Sequence, residues 1–203
     1  MSKDSFVKDA LVLTVITLVA GLLLGFVYGL TKDQIAAINL AATQASYKQV
    51  MGSASDFDEA IYADKLSAAK SDGKIAADNG GAELLSIVAA KDASGKEVGY
   101  IVKGQCAGYG GAVVVVVGVD ADMKVTGISF PETLPETAGL GQKATTPKFY
   151  EQFAGKAAGI TVKKGGGASG NEIDAISGAT ITSQSVTNTV NAATAFVQEY
   201  IAK

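Results

Sequence analysis

At 203 residues, of which 48% are hydrophobic and 18% charged, the chain has room for one ordinary folded domain and one strongly apolar segment. It contains no histidine, and Cys106 is its one cysteine, so a histidine-ligated metal or haem, a Ser-His-Asp triad, an iron–sulfur cluster and an intrachain disulfide are excluded. The formal net charge of −3 offers no basic patch, so nucleic acid is not an expected partner. We therefore expect no metal site and no catalytic side chain, a buried Cys106, and any redox chemistry to come from an organic cofactor or another protein of the same assembly.

Residues 10–30 are the first predicted element and carry no charged side chain. As a helix they would be about 31 Å long at ~1.5 Å per residue, which matches the core of a bilayer. A signal peptide, whose apolar core is shorter, and a buried core helix are the alternatives. The sequence predicts a transmembrane helix over 10–30 after a cytoplasmic segment, 1–9. Lys3 and Lys8 precede the helix and Lys32 follows it, which favours a cytoplasmic N-terminus and a domain outside the cytoplasm, in the cell membrane.

Residues 31–79 are predicted to form a helical connector. Thr31 and Gln34 have the spacing of a capping box, and apolar residues recur at helical intervals from there to about Met51. The charged stretch 52–74 is typical of a loop with a short solvated helix.

Residues 80–203 are predicted to form the folded domain, of class α+β. Turn signals at 92–96 and 120–124 separate β-type runs, which indicates an antiparallel meander with a central valine strand covered on both faces. An amphipathic helix over 182–201 should pack on the sheet. The predicted strands are 84–90, 98–103, 112–119, 125–130 and 160–164, and a short helix is predicted over 146–153.

Residues 174–180, which read DAISGAT, lead from a loop into a predicted helix N-terminus. Small residues let a ligand approach the backbone, and the unpaired N–H groups of a helix N-terminus bind phosphate. The alternative is simple capping, in which Thr180 or Thr182 accepts backbone hydrogen bonds and has no other role. On these residues alone both interpretations stay open.

The same stretch resembles the flavinylation motif of the FMN-binding domain family. In that motif an aspartate precedes a Ser/Thr-Gly-Ala-Thr core, and the last threonine carries FMN through a phosphoester. The resemblance implies that Thr180 is the acceptor, that Asp174 is the upstream acid, and that Ser177, Gly178 and Ala179 form the core of the motif.

A second stretch, residues 136–141, is similar to the Glu-Thr-Pro-Gly-Leu-Gly motif of the same family. Alanine stands at 138 in place of proline, so the loop should be less rigid. The resemblance implies a loop against the isoalloxazine ring; without it, a turn after a strand would be a sufficient interpretation. The residues so implied are Glu136, Thr137, Gly139, Leu140 and Gly141.

The glycine-rich segment 108–111 precedes the valine strand. It lacks the Lys-Ser/Thr of a phosphate loop and leads into a strand, so a nucleotide fingerprint is not supported. A hairpin bulge or a close approach to the flavin is expected. Tyr109 either stacks on the ring or packs in the core.

The order, spacing and length of the whole chain resemble the G subunits of Rnf electron-transport complexes. This implies an electron-transfer subunit with covalent FMN in an ion-translocating ferredoxin:NAD oxidoreductase complex, without stand-alone catalysis. The implied partners are the other membrane and peripheral subunits, membrane lipid, and a flavin transferase during maturation. The alternatives are the C subunit of a sodium-translocating NADH:quinone oxidoreductase, a free-standing membrane-anchored flavin carrier, and a colourless assembly protein without a cofactor.

Overall fold

The computed structural model describes residues 3–58 and 60–202. The chain divides into two compact units, Met1–Ala41 and Ala42–Lys203. The second unit therefore includes part of the segment predicted as a connector, together with the whole predicted domain.

The first helix, α1, spans Lys3–Val50 without a break. The predicted helix start at Thr31 and Gln34 is wrong, because Thr31 Oγ1 donates a hydrogen bond back to the Val27 carbonyl at 3.0 Å, inside the helix. A threonine hydroxyl can bond to the carbonyl four residues earlier as readily as it can cap a helix. By length and composition α1 can cross a membrane, and no residue of its apolar window is buried in the described structure, which argues against a core helix.

The second unit is built on a five-stranded antiparallel sheet in the order β1-β2-β3-β4-β5. The predicted meander is confirmed, and the valine strand β4 is an interior strand between β3 and β5. The strands are β1 (Asp56–Asp58), β2 (Glu83–Lys91), β3 (Glu97–Ala107), β4 (Ala112–Asp120) and β5 (Val125–Ser129), and α2 (Ala63–Asp72) and α3 (Lys74–Asp78) lie between β1 and β2.

The edge strand β1 was not predicted, because two of its three residues are aspartates and the stretch reads as a solvated loop. In the structure Phe57 pairs with Ala90, and Asp58 forms an ion pair with Lys91 at 2.9 Å. The Lys91 ammonium lowers the pKa of the Asp58 carboxyl. The segment 56–58 therefore becomes a strand because β2 pairs with it. Its own residues do not favour a strand.

Both faces of β4 are covered. Val115 and Val117 pack in the main core with Val190 of the last helix, while Val116 faces a smaller cluster that contains Tyr47 and Val50. Each fully buried valine contributes roughly 1.5–3 kcal/mol. A nearly continuous valine run therefore reflects a strand with no solvent-facing side.

The chain after β5 builds the rest of the core and ends in a long helix. Gly141–Thr145 and Glu151–Phe153 are 3₁₀ turns around α4 (Pro147–Tyr150). The strands β6 (Thr161–Lys163) and β7 (Glu172–Asp174) form a separate parallel pair, of which β7 was not predicted. The last helix, α5 (Thr180–Phe196), continues as a π-turn, Val197–Ile201, and buries its predicted apolar face: Val186, Val190, Ala193 and Val197.

Candidate functional site

The N-terminus of α5 is formed by a tight turn. The Ala179 N–H donates to the Ile176 carbonyl at 2.9 Å, and Gly178 has φ +77°, a conformation that side-chain-bearing residues rarely adopt. The first helical hydrogen bond runs from the Ser183 N–H to the Ala179 carbonyl at 3.0 Å. The N–H groups of the first helical turn therefore have no intrahelical acceptor.

The interpretation of Thr180 and Thr182 as simple capping residues is wrong. The cap position is held by Ala179, and no side-chain hydrogen bond caps the helix. Ser183 stabilises the turn instead: its hydroxyl accepts from the Ile176 N–H and donates to the Ala179 carbonyl, both at 2.9 Å. The threonine hydroxyls are thus not used to terminate the helix.

The second motif forms a turn that is closed by hydrogen bonds from the N–H groups of Leu140 and Gln142 to the Thr137 carbonyl. Glu136, at its start, is only 9% exposed, and its Oε1 accepts the Tyr109 N–H at 2.8 Å. The glycine-rich segment lies close to this side chain, because a Cβ at Gly108 would lie 2.4 Å from Glu136 Oε1. This buried carboxylate therefore ties the two loops together.

The two motifs meet in one open cavity of about 520 Å³. The structure thus brings together most of the residues that the sequence analysis selected, from three separate segments of the chain. The cavity is lined by Tyr109, Glu136, Thr137, Leu140, Gly141, Gly178, Ala179, Thr180, Ile181 and Thr182.

Three selected residues do not line this cavity. Gly139 lies in the turn of the second motif with φ +76°, and Ser177 is exposed in the turn before α5. Asp174, at the end of β7, accepts the Ala168 N–H through Oδ1 at 2.7 Å, and its own N–H donates to Gln152 Oε1 at 2.6 Å. In the structure Asp174 therefore fixes the loop 165–171, which begins with three glycines and leads into β7.

A second acid holds the same loop. The Ser169 N–H donates to Glu172, and this backbone hydrogen bond lowers the pKa of the Glu172 carboxyl. Together the acids at the two ends of β7 order the segment that leads towards the turn before α5.

The cavity combines an exposed apolar surface with polar groups. Tyr109, Leu140 and Ile181 are 74%, 42% and 55% exposed, which is unusual for large apolar side chains that lie close together. The alternative in which Tyr109 packs in the core is therefore wrong. Ile181 was missed by the sequence analysis because it lies off the buried stripe of α5.

Thr182 is the other missed residue. It is 1% exposed, and its hydroxyl has no hydrogen-bond partner among the described residues. The sequence signal that was available is its position two residues after Thr180, in the first turn of the helix.

This arrangement fits a phosphorylated aromatic ligand such as FMN. Free N–H groups at a helix N-terminus suit a phosphate, exposed apolar side chains suit a planar ring, and an unpaired buried hydroxyl suits a polar atom of the ligand. Within the described part of the chain, no cluster of three or more histidine, cysteine, aspartate or glutamate side chains could hold a metal ion.

Comparison with known proteins agrees with this assignment. Residues 108–195 match the FMN-binding domain family, and residues 1–50 match the RnfG N-terminal region. The chain is therefore a protein with an FMN-binding domain.

The chain is 39% identical to the G subunit of the Na(+)-translocating ferredoxin:NAD(+) oxidoreductase complex of Acetobacterium woodii, over 91% of this chain and 87% of that one. It is 30% identical to the G subunit of the ion-translocating oxidoreductase complex of Methanosarcina acetivorans, over 94% and 93%. The chain belongs to this family of G subunits. Among solved structures, the C subunit of the Na(+)-translocating NADH-quinone reductase of Parabacteroides distasonis is 26% identical over 58% of this chain and 63% of that chain, with a TM-score of 0.49.

Proposed function

We propose that this chain is the electron-transfer subunit of an Rnf-type ion-translocating ferredoxin:NAD oxidoreductase complex and carries FMN covalently on Thr180. The observation that carries the proposal is the cavity in which the loop 136–141 and the N-terminus of α5 meet. The whole-length similarity to G subunits supports the place in such a complex, rather than a free-standing flavin carrier.

Each part of the cavity has a role in holding the cofactor. The Thr180 hydroxyl forms the phosphoester, and the N–H groups of the first turn of α5 stabilise the phosphate charge. Tyr109, Leu140 and Ile181 cover the ring. The Glu136 carboxylate lowers the midpoint potential of the flavin. When bound, FMN supplies the capacity to accept and donate electrons singly, while the protein sets position and environment.

The covalent bond prevents loss of the cofactor by dilution, because a tethered ligand has an effective concentration that dilution does not change. Threonine is a weak nucleophile without a base, and this chain contains no histidine. We therefore infer that a separate flavin transferase loads Thr180 from FAD: the Thr180 oxygen bonds to the FMN phosphorus, the pyrophosphate bond of FAD breaks, and AMP leaves together with the hydroxyl proton.

We further propose that residues 10–30 of α1 cross the cell membrane once. Residues 1–9 lie in the cytoplasm. Residues 31–79 connect the membrane-spanning segment to the FMN domain, 80–203, which lies outside the cytoplasm. The charge-free apolar stretch and the lysines before it support this topology. The partners are membrane lipid and the other membrane and peripheral subunits of the complex.

Flavin fluorescence of the denatured chain tests the cofactor assignment. After co-expression with a flavin transferase, the wild-type chain should fluoresce on a denaturing gel, Thr180→Val should not, and Thr182→Val should. Fluorescence that persists in Thr180→Val and maps to Thr182 or Ser183 would show that the acceptor is that residue and not Thr180. A colourless wild-type chain favours an assembly protein, and a flavinylated chain that purifies from native membranes without other subunits favours a free-standing carrier.

A further inference from the structure

The buried hydroxyl groups of α5 have hydrogen-bond acceptors in the described structure, with one exception. Thr187 Oγ1 donates to the Ser183 carbonyl at 2.8 Å, and Thr189 Oγ1 donates to the Ser185 carbonyl at 3.1 Å. Thr182 Oγ1 has no such bond, because the residue four positions earlier, Gly178, lies in the turn before the helix. Thr182 is nevertheless 1% exposed.

Thr182, which carries the unpaired hydroxyl, lines the cavity, and so does the buried Glu136. A Cβ placed on Gly141 would lie 2.8 Å from Thr182 Oγ1 and 2.5 Å from Glu136 Oε2. The two polar groups therefore pack on the same side of Gly141, in the space that a side chain at 141 would occupy.

A buried hydroxyl without a partner destabilises the protein, so its retention at a cavity wall calls for a ligand that supplies the partner. The exposed apolar side chains of the cavity, Tyr109, Leu140 and Ile181, suit the flat ring. Thr182, two residues after the acceptor and buried, suits the polar arm between the ring and the phosphate.

We propose that Thr182 is a second FMN-binding residue, whose hydroxyl donates a hydrogen bond to the ribityl phosphate arm of the flavin attached to Thr180. This inference rests on the proposed function. It assigns to Thr182 a role in positioning the arm, separate from covalent attachment.

The test compares full-length wild-type chain with Thr182→Val, Thr182→Ala and Thr182→Ser, each prepared with and without covalent flavin. Thr189→Val is the matched control, because it removes a buried hydroxyl from the same helix that already has a partner. Two quantities are measured: the ratio of the unfolding equilibrium constants of the flavin-free and flavin-bearing forms, and the ³¹P NMR shift of the phosphodiester.

In Thr182→Val and Thr182→Ala we expect the covalent flavin to remain. The ratio of the flavin-free to the flavin-bearing unfolding equilibrium constant should fall about tenfold, as for the loss of one buried hydrogen bond. The ³¹P resonance should move. Thr182→Ser should restore both, and Thr189→Val should change neither. A merely structural role would destabilise both forms equally, and an unchanged ratio and resonance in Thr182→Val and Thr182→Ala would overturn the proposal. A wild-type chain without flavin on Thr180 would instead contradict the proposed function itself.

Discussion

Glu136 is a carboxylate enclosed in the wall of the cavity, where one of its oxygens already accepts the Tyr109 N–H. A negative charge beside a bound flavin disfavours its anionic reduced forms and lowers the midpoint potential. Glu136→Gln keeps an oxygen acceptor and removes the charge, so we expect the potential to rise by on the order of 50 mV in a redox titration. Glu132→Gln is the control, because Glu132 is an exposed residue paired with Lys103, and the flavin potential of that variant should equal the wild-type value.

Leu140 is a half-exposed side chain in the same wall. Leu140→Ala should remain fluorescent after denaturation, since attachment depends on the phosphate end of the cofactor. Its midpoint potential should shift, because water then reaches one face of the ring. If neither this variant nor Glu136→Gln changed the potential, the loop 136–141 would be only a structural turn.

Asp174 lies outside the cavity and holds the loop before β7 by accepting the Ala168 N–H. We expect Asp174→Ala to slow loading of Thr180 more than it lowers the melting temperature, because the segment before the acceptor loses its order. Asp174→Asn retains an acceptor oxygen and should load at a rate between those of the wild type and Asp174→Ala. Time courses of flavin fluorescence would measure this, and wild-type kinetics in Asp174→Ala would refute it.

The contact between the loop 136–141 and α5 requires glycine at 141. A Cβ there would lie 2.8 Å from Thr182 Oγ1 and Glu136 Cβ, both closer than real Cβ contacts. Gly141→Ala should therefore separate the loop from the helix, lower the free energy of unfolding by about 1–3 kcal/mol and reduce loading.

Gly127→Ala is the matched control for this substitution, because its added Cβ would meet the nearest atom, Val50 Cα, at an ordinary 3.7 Å. Chemical denaturation and flavin fluorescence of the two variants would compare them. Equal stability and equal loading of Gly141→Ala and Gly127→Ala would show that the contact does not constrain the site.

The elements that the sequence predicted are those with long runs of β-branched residues or a sustained apolar stripe, such as β4 and α5. The strands that it missed, β1 and β7, are three residues long with two acidic residues each, and they form because a neighbouring strand pairs with them. The continuity of α1 was missed because a threonine inside a helix and a capping threonine are the same residue in sequence.

The site shows the same division. Its two motifs, 136–141 and 174–180, could be found in the sequence because both resemble motifs of the FMN-binding domain family. The burial of Thr182 could not, because it arises only when the loop 136–141 lies against the first turn of α5. The exposure of Tyr109 likewise depends on how the segment 108–111 packs on Pro135 and Glu136.

The proposed membrane topology places the turn between β2 and β3 outside the cytoplasm. Ser94 is exposed in that turn, and the native Cys106 is buried, so a cysteine at 94 can be labelled selectively. In intact cells a membrane-impermeant maleimide should label Ser94→Cys, whereas Ser2→Cys should react only after lysis. The reverse labelling pattern would show that the chain is oriented with its N-terminus outside the cytoplasm.

Peptide mass mapping of the chain isolated from native membranes tests the proposed attachment of FMN to Thr180. The peptide that contains Thr180 should be heavier by one FMN less one water, with fragment ions that place the addition on Thr180. The other subunits of the complex should be present in the same preparation. An unmodified Thr180 in a chain that carries its full flavin elsewhere, or no flavin at all, would show that Thr180 is not the acceptor.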